Sequence, residues 1–357
     1  MSSVIGDKIK LCIFGESHGE AIGCVVDGLP AGFKIDTDKI YLDLLRRAPG
    51  RDSISTSRAE KDIPKIVSGL QGGVTTGAPL TAIIENTDVK SDSYKSIENI
   101  PRPSHGDYPA YIKYGDNYDY RGGGHLSGRL TAPLVFAGAL AKQLLSERGV
   151  HIGAHLVRVG NVTDTSFDTL GVDEALISRL TDGGFPVIDE NCERLMKEEI
   201  ERCKAEGDSI GGEIECAAVG LPVGIGEPMF DSLESRLSHM LFSIPAVKGV
   251  SFGLGFSFTQ KRASQVNDEY EIKDGKIALL SNNNGGIVGG MSTGAPLIFR
   301  VAIKPTPSIS LPQRSVNLKT MRNETLTVSG RHDACIAPRA VPAIEAAAAF
   351  TLLDMIL

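Results

Sequence analysis

Gly72-Gly73-Val74-Thr75-Thr76-Gly77-Ala78-Pro79-Leu80 recurs later in the chain as Gly289-Gly290-Met291-Ser292-Thr293-Gly294-Ala295-Pro296-Leu297. Upstream of each copy lies a second matched pair, Gly28-Leu29-Pro30-Ala31-Gly32 and Gly220-Leu221-Pro222-Val223-Gly224. Two matches in the same order mark an internal duplication with a period far longer than a solenoid repeat. A third, weaker pair is Thr131-Ala132-Pro133 and Ile336-Ala337-Pro338. Each opens an alanine-rich apolar stretch, 134–145 and 340–357, that reads as a buried helix. The prolines suit the first turn, where a missing N–H is no loss. The duplication predicts one domain made of two pseudo-equivalent halves, about 1–150 and 210–357, with a polar helical connector around residues 192–203.

β-rich apolar runs at 8–14, 23–26, 80–84, 151–159, 213–219, 250–256 and 296–303 read as strands. Stretches 41–47 and 230–242 read as helices. Strand runs alternating with helices predict an α+β fold, a β-α-β sandwich with mixed or antiparallel sheets covered on one face by helices. Segments 46–60, 120–128 and 281–293 are too rich in glycine and polar residues for either element. Loops of this kind are where ligands are usually held.

A chain of 357 residues is long enough for a substantial core. A net charge of -7 argues against nucleic acid as a partner, since neutralising phosphates requires a basic face. The six cysteines stand singly, with no Cys-x-x-Cys pair, so neither a disulfide framework nor a thiolate zinc site is indicated. The N-terminus lacks the pattern of a signal peptide and no stretch reaches membrane-spanning length, so the expectation is a cytoplasmic protein without a membrane partner.

Three histidine segments carry the chemistry: Gly15-Glu16-Ser17-His18-Gly19, Arg102-Pro103-Ser104-His105-Gly106-Asp107 and Gly330-Arg331-His332-Asp333-Ala334-Cys335. An imidazole on a turn of small residues titrates near neutral pH where backbone and ligand approach closely. Ser17 and Ser104 read as ligand-gripping donors; a serine hydrolase is disfavoured because an adjacent histidine does not serve as the base. Asp333 reads either as a carboxylate base or as a cap for the last helix. Arginines gather beside these segments: Arg46, Arg47, Arg51 and Arg58 in one stretch, Arg121 and Arg129 around Gly122-Gly123-Gly124, and Arg331 with Arg339. Guanidinium forks and glycine-rich turns both suit phosphate or carboxylate, which implies a polyanionic ligand. Lys304-Pro305-Thr306-Pro307-Ser308, stiffened by two prolines at a strand exit, offers an ammonium and hydroxyls to an anion or a flavin ring. No spacing presents a preformed metal site.

The combination resembles the chorismate synthase family over essentially the whole chain. The resemblance rests on Gly15-Glu16-Ser17-His18-Gly19 running on to Gly28-Leu29-Pro30, on Gly124-His125-Leu126-Ser127-Gly128-Arg129-Leu130-Thr131, and on Arg331-His332-Asp333-Ala334-Cys335 with Glu345 beyond. It implies conversion of 5-enolpyruvylshikimate 3-phosphate to chorismate and phosphate, dependent on reduced FMN without net redox change, in a homotetramer. NADPH would enter only if the protein reduced its own flavin. By the resemblance His18 protonates the reduced flavin, His105 protonates the departing phosphate, and Asp333 acts in removing the ring proton. FMN contacts carry over to His125, Leu126, Ser127, Ala246, Gly289, Lys304, Pro305, Thr306, Pro307, Ser308 and Arg331, and substrate contacts to Arg47, Arg129 and Arg51. Where many members read Arg-Ser-Ser this chain has His125-Leu126-Ser127, and Ala334 stands where proline is common. Two other readings compete: a non-catalytic binder of a phosphorylated metabolite, and an FMN oxidoreductase with net hydride transfer.

Overall fold

The computed structural model describes residues 3–50, 54–56, 60–88, 98–328 and 332–357. Two five-stranded sheets enclose a layer of helices, so the α+β sandwich read from the sequence is the observed architecture. The first sheet has the order Val4–Ile5, Lys10–Gly15, Ala21–Asp27, Leu80–Glu85, Lys65–Ser68. The second has the order Val162–Thr163, His151–Val159, Gly212–Val219, Leu297–Ile303, Val247–Phe252.

Among the described residues every pairing is antiparallel, and neither sheet is mixed. The reason lies in the crossover. The helix Thr37–Arg47 carries the chain from Ala21–Asp27 to Lys65–Ser68, which run parallel but one position apart, and Leu80–Glu85 returns into the gap antiparallel to both. Leu233–Leu241 makes the same skip from Gly212–Val219 to Val247–Phe252, with Leu297–Ile303 filling the gap.

The repeated motifs are the hinges of this arrangement. Gly72-Gly73 and Gly289-Gly290 are the two central residues of equivalent hairpins, with φ of 59° and 81° in one and 63° and 85° in the other. Two consecutive positive φ values define the turn whose twist matches the strands, which is why both copies keep paired glycines. The next hydroxyl acts alike beside each hairpin. Thr75 Oγ1 donates to the Pro30 carbonyl and accepts from Phe33 N–H, while Ser292 Oγ donates to the Pro222 carbonyl and accepts from Ile225 N–H. The two motifs of each pair were conspicuous together because they bond to each other.

Between the sheets, Thr131–Ser146 rests on the first and Ala337–Ile356 on the second, with Thr37–Arg47 and Leu233–Leu241 alongside. Both long helices are apolar nearly all round, as buried helices must be. They start three residues earlier than the apolar runs alone suggest, with Pro133 and Pro338 inside the first turn. At their crossing a Cβ on Gly138 would lie 2.2 Å from the Ala346 Cβ, so only glycine permits this approach.

The second sheet is not covered on one face only. The connector, with helices Glu174–Thr181 and Glu190–Ala205, lies on its outer side, where Phe167, Val172, Ile177 and Leu180 pack against Ala217 and Ile298. His151–Val159 is consequently buried almost throughout.

Candidate active site

The loops at one end of the helix layer enclose a cavity of about 300 Å³, within the usual range for small-molecule sites. One wall is the turn 121–126. Gly122, Gly123 and Gly124 have φ of 59°, 83° and 54°. Positive φ is only half of their requirement. A Cβ on Gly122 would lie 2.8 Å from His18 Nε2 and 2.8 Å from Ser17 Oγ, and one on Gly123 would lie 3.3 Å from His105 Nε2. The triple glycine is thus the surface on which both histidine segments close. Ser17 N–H donates to the Gly124 carbonyl at 3.1 Å, fixing the first segment to the turn.

Opposite stand His332 and Asp333, just before the last helix. Asp333 does not cap that helix: the cap position is Ile336, and no side chain bonds there. Asp333 Oδ1 instead accepts Thr56 N–H at 2.9 Å, and Oδ2 pairs with Arg339. Burial and the neighbouring Arg102 push the His332 imidazole down to about 4, so it is neutral near pH 7.

Arg47 and Arg129 line the cavity together and share one carboxylate, each donating to a different oxygen of Asp62. Asp62 has a φ of 50°, an uncommon conformation for a residue with a Cβ, and stands behind the two guanidiniums. Arg339 Nε donates to the Arg47 carbonyl at 3.1 Å, adding a third guanidinium. Burial, Arg339 and Arg129 outweigh Asp62 and bring the Arg47 guanidinium down to about 10. Its Nε is buried without a hydrogen-bond partner. A buried guanidinium with an unpartnered N–H offers that donor to an anionic ligand.

The strip 304–308 forms the floor. Lys304 Nζ donates to the Ser104 carbonyl at 2.6 Å, and burial with the nearby Lys248 lowers its ammonium below the ordinary lysine value. Thr306, Pro307 and Ser308 line the cavity, and Thr306 Oγ1 is buried with no partner. Facing the strip is Ile244-Pro245-Ala246, where Ala246 has a φ of 75° and its carbonyl accepts Lys304 N–H at 2.9 Å.

Of the residues singled out in the sequence, His105, Leu126, Ser127, Arg47, Arg129, Ala246, Lys304, Thr306, Pro307, Ser308 and Asp333 line this one cavity, and His18 lies behind Gly122 at its wall. Three stand apart. His125 turns away, with Nδ1 on the Gly15 carbonyl at 2.8 Å and Nε2 by Ser3 Oγ at 3.2 Å. Gly289 sits in its hairpin turn, and Pro305 packs by Gly211. Arg51 and Arg331, with Arg58, lie outside the described residues. Arg46 is no loop residue and no anion ligand: it lies in Thr37–Arg47 and turns into the core onto Glu345 and Asp43. Sequence reasoning passed over Asp62, Glu60, Thr56 and the pairing of Arg102 with Asp107.

The chorismate synthase family model matches residues 9–357. A chorismate synthase of Thermococcus kodakarensis is 46% identical over 355 residues, covering 99% of this chain and 97% of its own. One of Dehalococcoides mccartyi is 43% identical over 357 residues, covering 100% and 97%. A crystal structure of chorismate synthase superposes with a TM-score of 0.77 at 27% identity, covering 99% of this chain and 93% of that one. With the whole chain matched by the family model and by relatives of this closeness, it belongs to the chorismate synthase family.

Proposed function

We propose that this cavity converts 5-enolpyruvylshikimate 3-phosphate to chorismate and phosphate, a 1,4-elimination that makes the protein a carbon–oxygen lyase. The observation that carries the reading is the meeting of two imidazoles on one glycine turn, opposite a carboxylate and beneath an excess of positive charge. Five described cations line the cavity, Arg47, Arg102, Arg129, Lys304 and Arg339, against two carboxylates, Glu60 and Asp333. A substrate carrying a phosphate and two carboxylates would offset that excess.

The residues fit reduced FMN as the cofactor. Thr306 Oγ1, buried and unpartnered beside Lys304 and Ser308, has the chemistry for a polar edge of the flavin, and Pro307 and Leu126 for its apolar face. Bound there, reduced FMN would supply the transient electron that weakens the allylic carbon–oxygen bond and would take it back, leaving no net redox change. His105 gives a proton to the departing phosphate, His18 holds a proton behind Gly122 on the same wall, and Asp333 is the final acceptor of the ring proton. Arg47 and Arg129 hold the substrate's anionic groups.

The same reading takes the chain as a single domain with halves of about 1–150 and 210–357, working in the cytoplasm as a homotetramer. Exposed Phe230 and Phe256, at 85% and 88% of full exposure, support an associating surface. The test is anaerobic incubation with substrate and reduced FMN, following chorismate absorbance and the flavin spectrum. Chorismate forms while the flavin stays reduced; flavin left oxidised in step with turnover, or tight binding of both ligands with no product, would overturn the reading.

A further inference from the structure

The histidine segment 102–107 contains a carboxylate that the reading above does not use. Asp107 is the first residue of the helix Asp107–Tyr114, two positions beyond His105. Its Oδ1 lies 2.7 Å from His105 Nδ1. Arg102 grips the same carboxylate from the other side, Nε to Oδ2 at 2.8 Å and Nη2 to Oδ1 at 2.9 Å, and Arg102 N–H reaches Oδ2 at 3.1 Å. The grip is itself anchored, since Arg102 Nη1 donates to Ser308 Oγ at 3.3 Å.

The geometry fixes which ring nitrogen carries hydrogen. A carboxylate oxygen only accepts, so this 2.7 Å approach calls for hydrogen on Nδ1. Arg102 Nη2 also lies 3.3 Å from Nδ1, but with hydrogen on Nδ1 both are donors and do not bond each other, while Nη2 donates to Asp107 Oδ1 at 2.9 Å. Nε2 has no hydrogen-bond partner among the described residues and sits over Gly123 at the cavity. The backbone is arranged to the same end. Ser104 holds a φ of 58°, and its carbonyl is tied down by Lys304 Nζ. A strained turn at such a position is retained when surrounding contacts demand it.

Resting on the assignment of His105 as the proton donor to phosphate, we propose that Asp107 is its positioning residue, locking Nδ1–H inward so that Nε2 alone faces the leaving group. The balance is simple. The Nε2–H bond of the imidazolium breaks, an O–H bond forms on the departing phosphate, and the ring is left neutral with Nδ1–H still on Asp107. Asp107 takes up no proton. The Arg102 grip and the imidazole hold its carboxyl well below the usual range despite burial. Arg102 and His332 also face the imidazole, Lys304 holds the turn beneath it, and Tyr118 lies beyond Asp107, so Asp107 is the carboxylate set against the ring among these neighbours.

Asp107→Asn removes that carboxylate with little change in shape. The expected result is a fall in kcat of roughly a hundred- to a thousand-fold near pH 7, with KM and FMN binding within about threefold. Without the carboxylate the imidazolium gives up its proton more readily, so the alkaline limb of the kcat profile moves to lower pH, by about one unit. On a His105→Ala background the same change adds less than about threefold, because Asp107 acts only through the ring. FMN binding checks folding. If the Asn variant binds none, Asp107→Glu takes its place, keeping the charge and the alkaline limb but lowering kcat by displacing the ring. An unmoved alkaline limb, or losses that multiply in the double variant, overturns the proposal. Wild-type turnover in His105→Ala alone would instead overturn the assignment on which it rests.

Discussion

Arg46 and Arg47 are consecutive in one helical turn, both buried, and the clusters they join are built on opposite plans. Arg46 lies in a closed cluster. Its guanidinium forks onto both oxygens of Glu345 at 2.7 Å, Asp43 takes a third bond, and Lys142 bridges the two carboxylates. Two cations meet two anions, and the Arg46 guanidinium is pushed above its ordinary value by those carboxylates although burial opposes it. Arg47 lies in an open cluster. One carboxylate, Asp62, serves both it and Arg129, Arg129 reaches Glu60 only at 3.8 Å, the third guanidinium, Arg339, is held by Asp333, and the Arg47 Nε is unpartnered. A closed cluster has already offset its desolvation and is part of the structure. An open one leaves a buried guanidinium N–H without an acceptor, and that is where an anion has something to gain.

The most disruptive change to the open side is Asp333→Asn. Because the last helix is not capped by Asp333, no capping energy is at stake. Asparagine still accepts from Thr56 N–H through its oxygen but faces Arg339 with an amide. Turnover should fall by roughly two to four orders of magnitude, the scale for losing a base, while the fold survives. Paired anaerobic turnover and thermal unfolding decide it: activity above about a tenth of wild type removes Asp333 from the proton path.

On the closed side the largest effect is on stability. Glu345→Gln leaves Arg46 and Lys142 buried with only Asp43 between them, a loss of about 3 to 5 kcal/mol by analogy with other broken buried pairs. Denaturant unfolding measures it. The folded fraction should retain wild-type substrate affinity, since Glu345 does not line the cavity.

Arg47→Met reverses that pattern. Loss of a charge-assisted contact worth about 1.5 to 3 kcal/mol should raise KM by roughly ten- to a hundred-fold. Stability should stay within about 1 kcal/mol, because Asp62 keeps Arg129 and an unpartnered Nε leaves the interior. If Arg47→Met destabilises as much as Glu345→Gln, the distinction between open and closed clusters fails.

The sequence reveals the central strands and the inner helices to within a few residues because period-2 and helical patterns report burial directly, and the repeated motifs are visible because both hairpins need paired glycines. It does not reveal the edge strands Val4–Ile5, Lys65–Ser68 and Val162–Thr163 or the helices Asp107–Tyr114 and Glu174–Thr181, which are short or mostly exposed. It reveals the histidines, Asp333 and the strip 304–308 through local context. It does not reveal Asp62, which reaches Arg47 and Arg129 across 15 and 67 positions with no local signature. Nor does it separate Arg46 from Arg47, for a one-residue step on a helix decides which guanidinium faces the core. The ring of His125 was equally illegible, since what it bonds is the Gly15 carbonyl, brought in by folding.

The smallest effect concerns a third buried cluster, closed like that of Arg46 and remote from the cavity lining. His155, fully buried, lies 3.2 Å from Asp164 and 3.1 Å from Glu215, with Arg300 on the far side of Glu215. The carboxylates raise His155 above its ordinary value against the opposing effect of burial, and the imidazole, with backbone N–H donors, lowers both carboxyls. The signs set the window. A raised histidine contributes fully below its unfolded value of about 6.5 and loses that contribution as pH rises through its folded value, whereas the lowered carboxyls contribute above about 4.5 and lose theirs on acidification. The cluster is therefore most stabilising between about pH 4.5 and 6.5. Between pH 6.5 and 8.5 the wild-type Tm should drop by about 1 to 2 °C from this source, given how little a kcal/mol moves the Tm of a chain this long. In His155→Gln the drop should vanish, with turnover unchanged. A variant that keeps the wild-type slope would mean that His155 is already neutral in the fold, and that a buried imidazole between two carboxylates need not be a closed ion cluster.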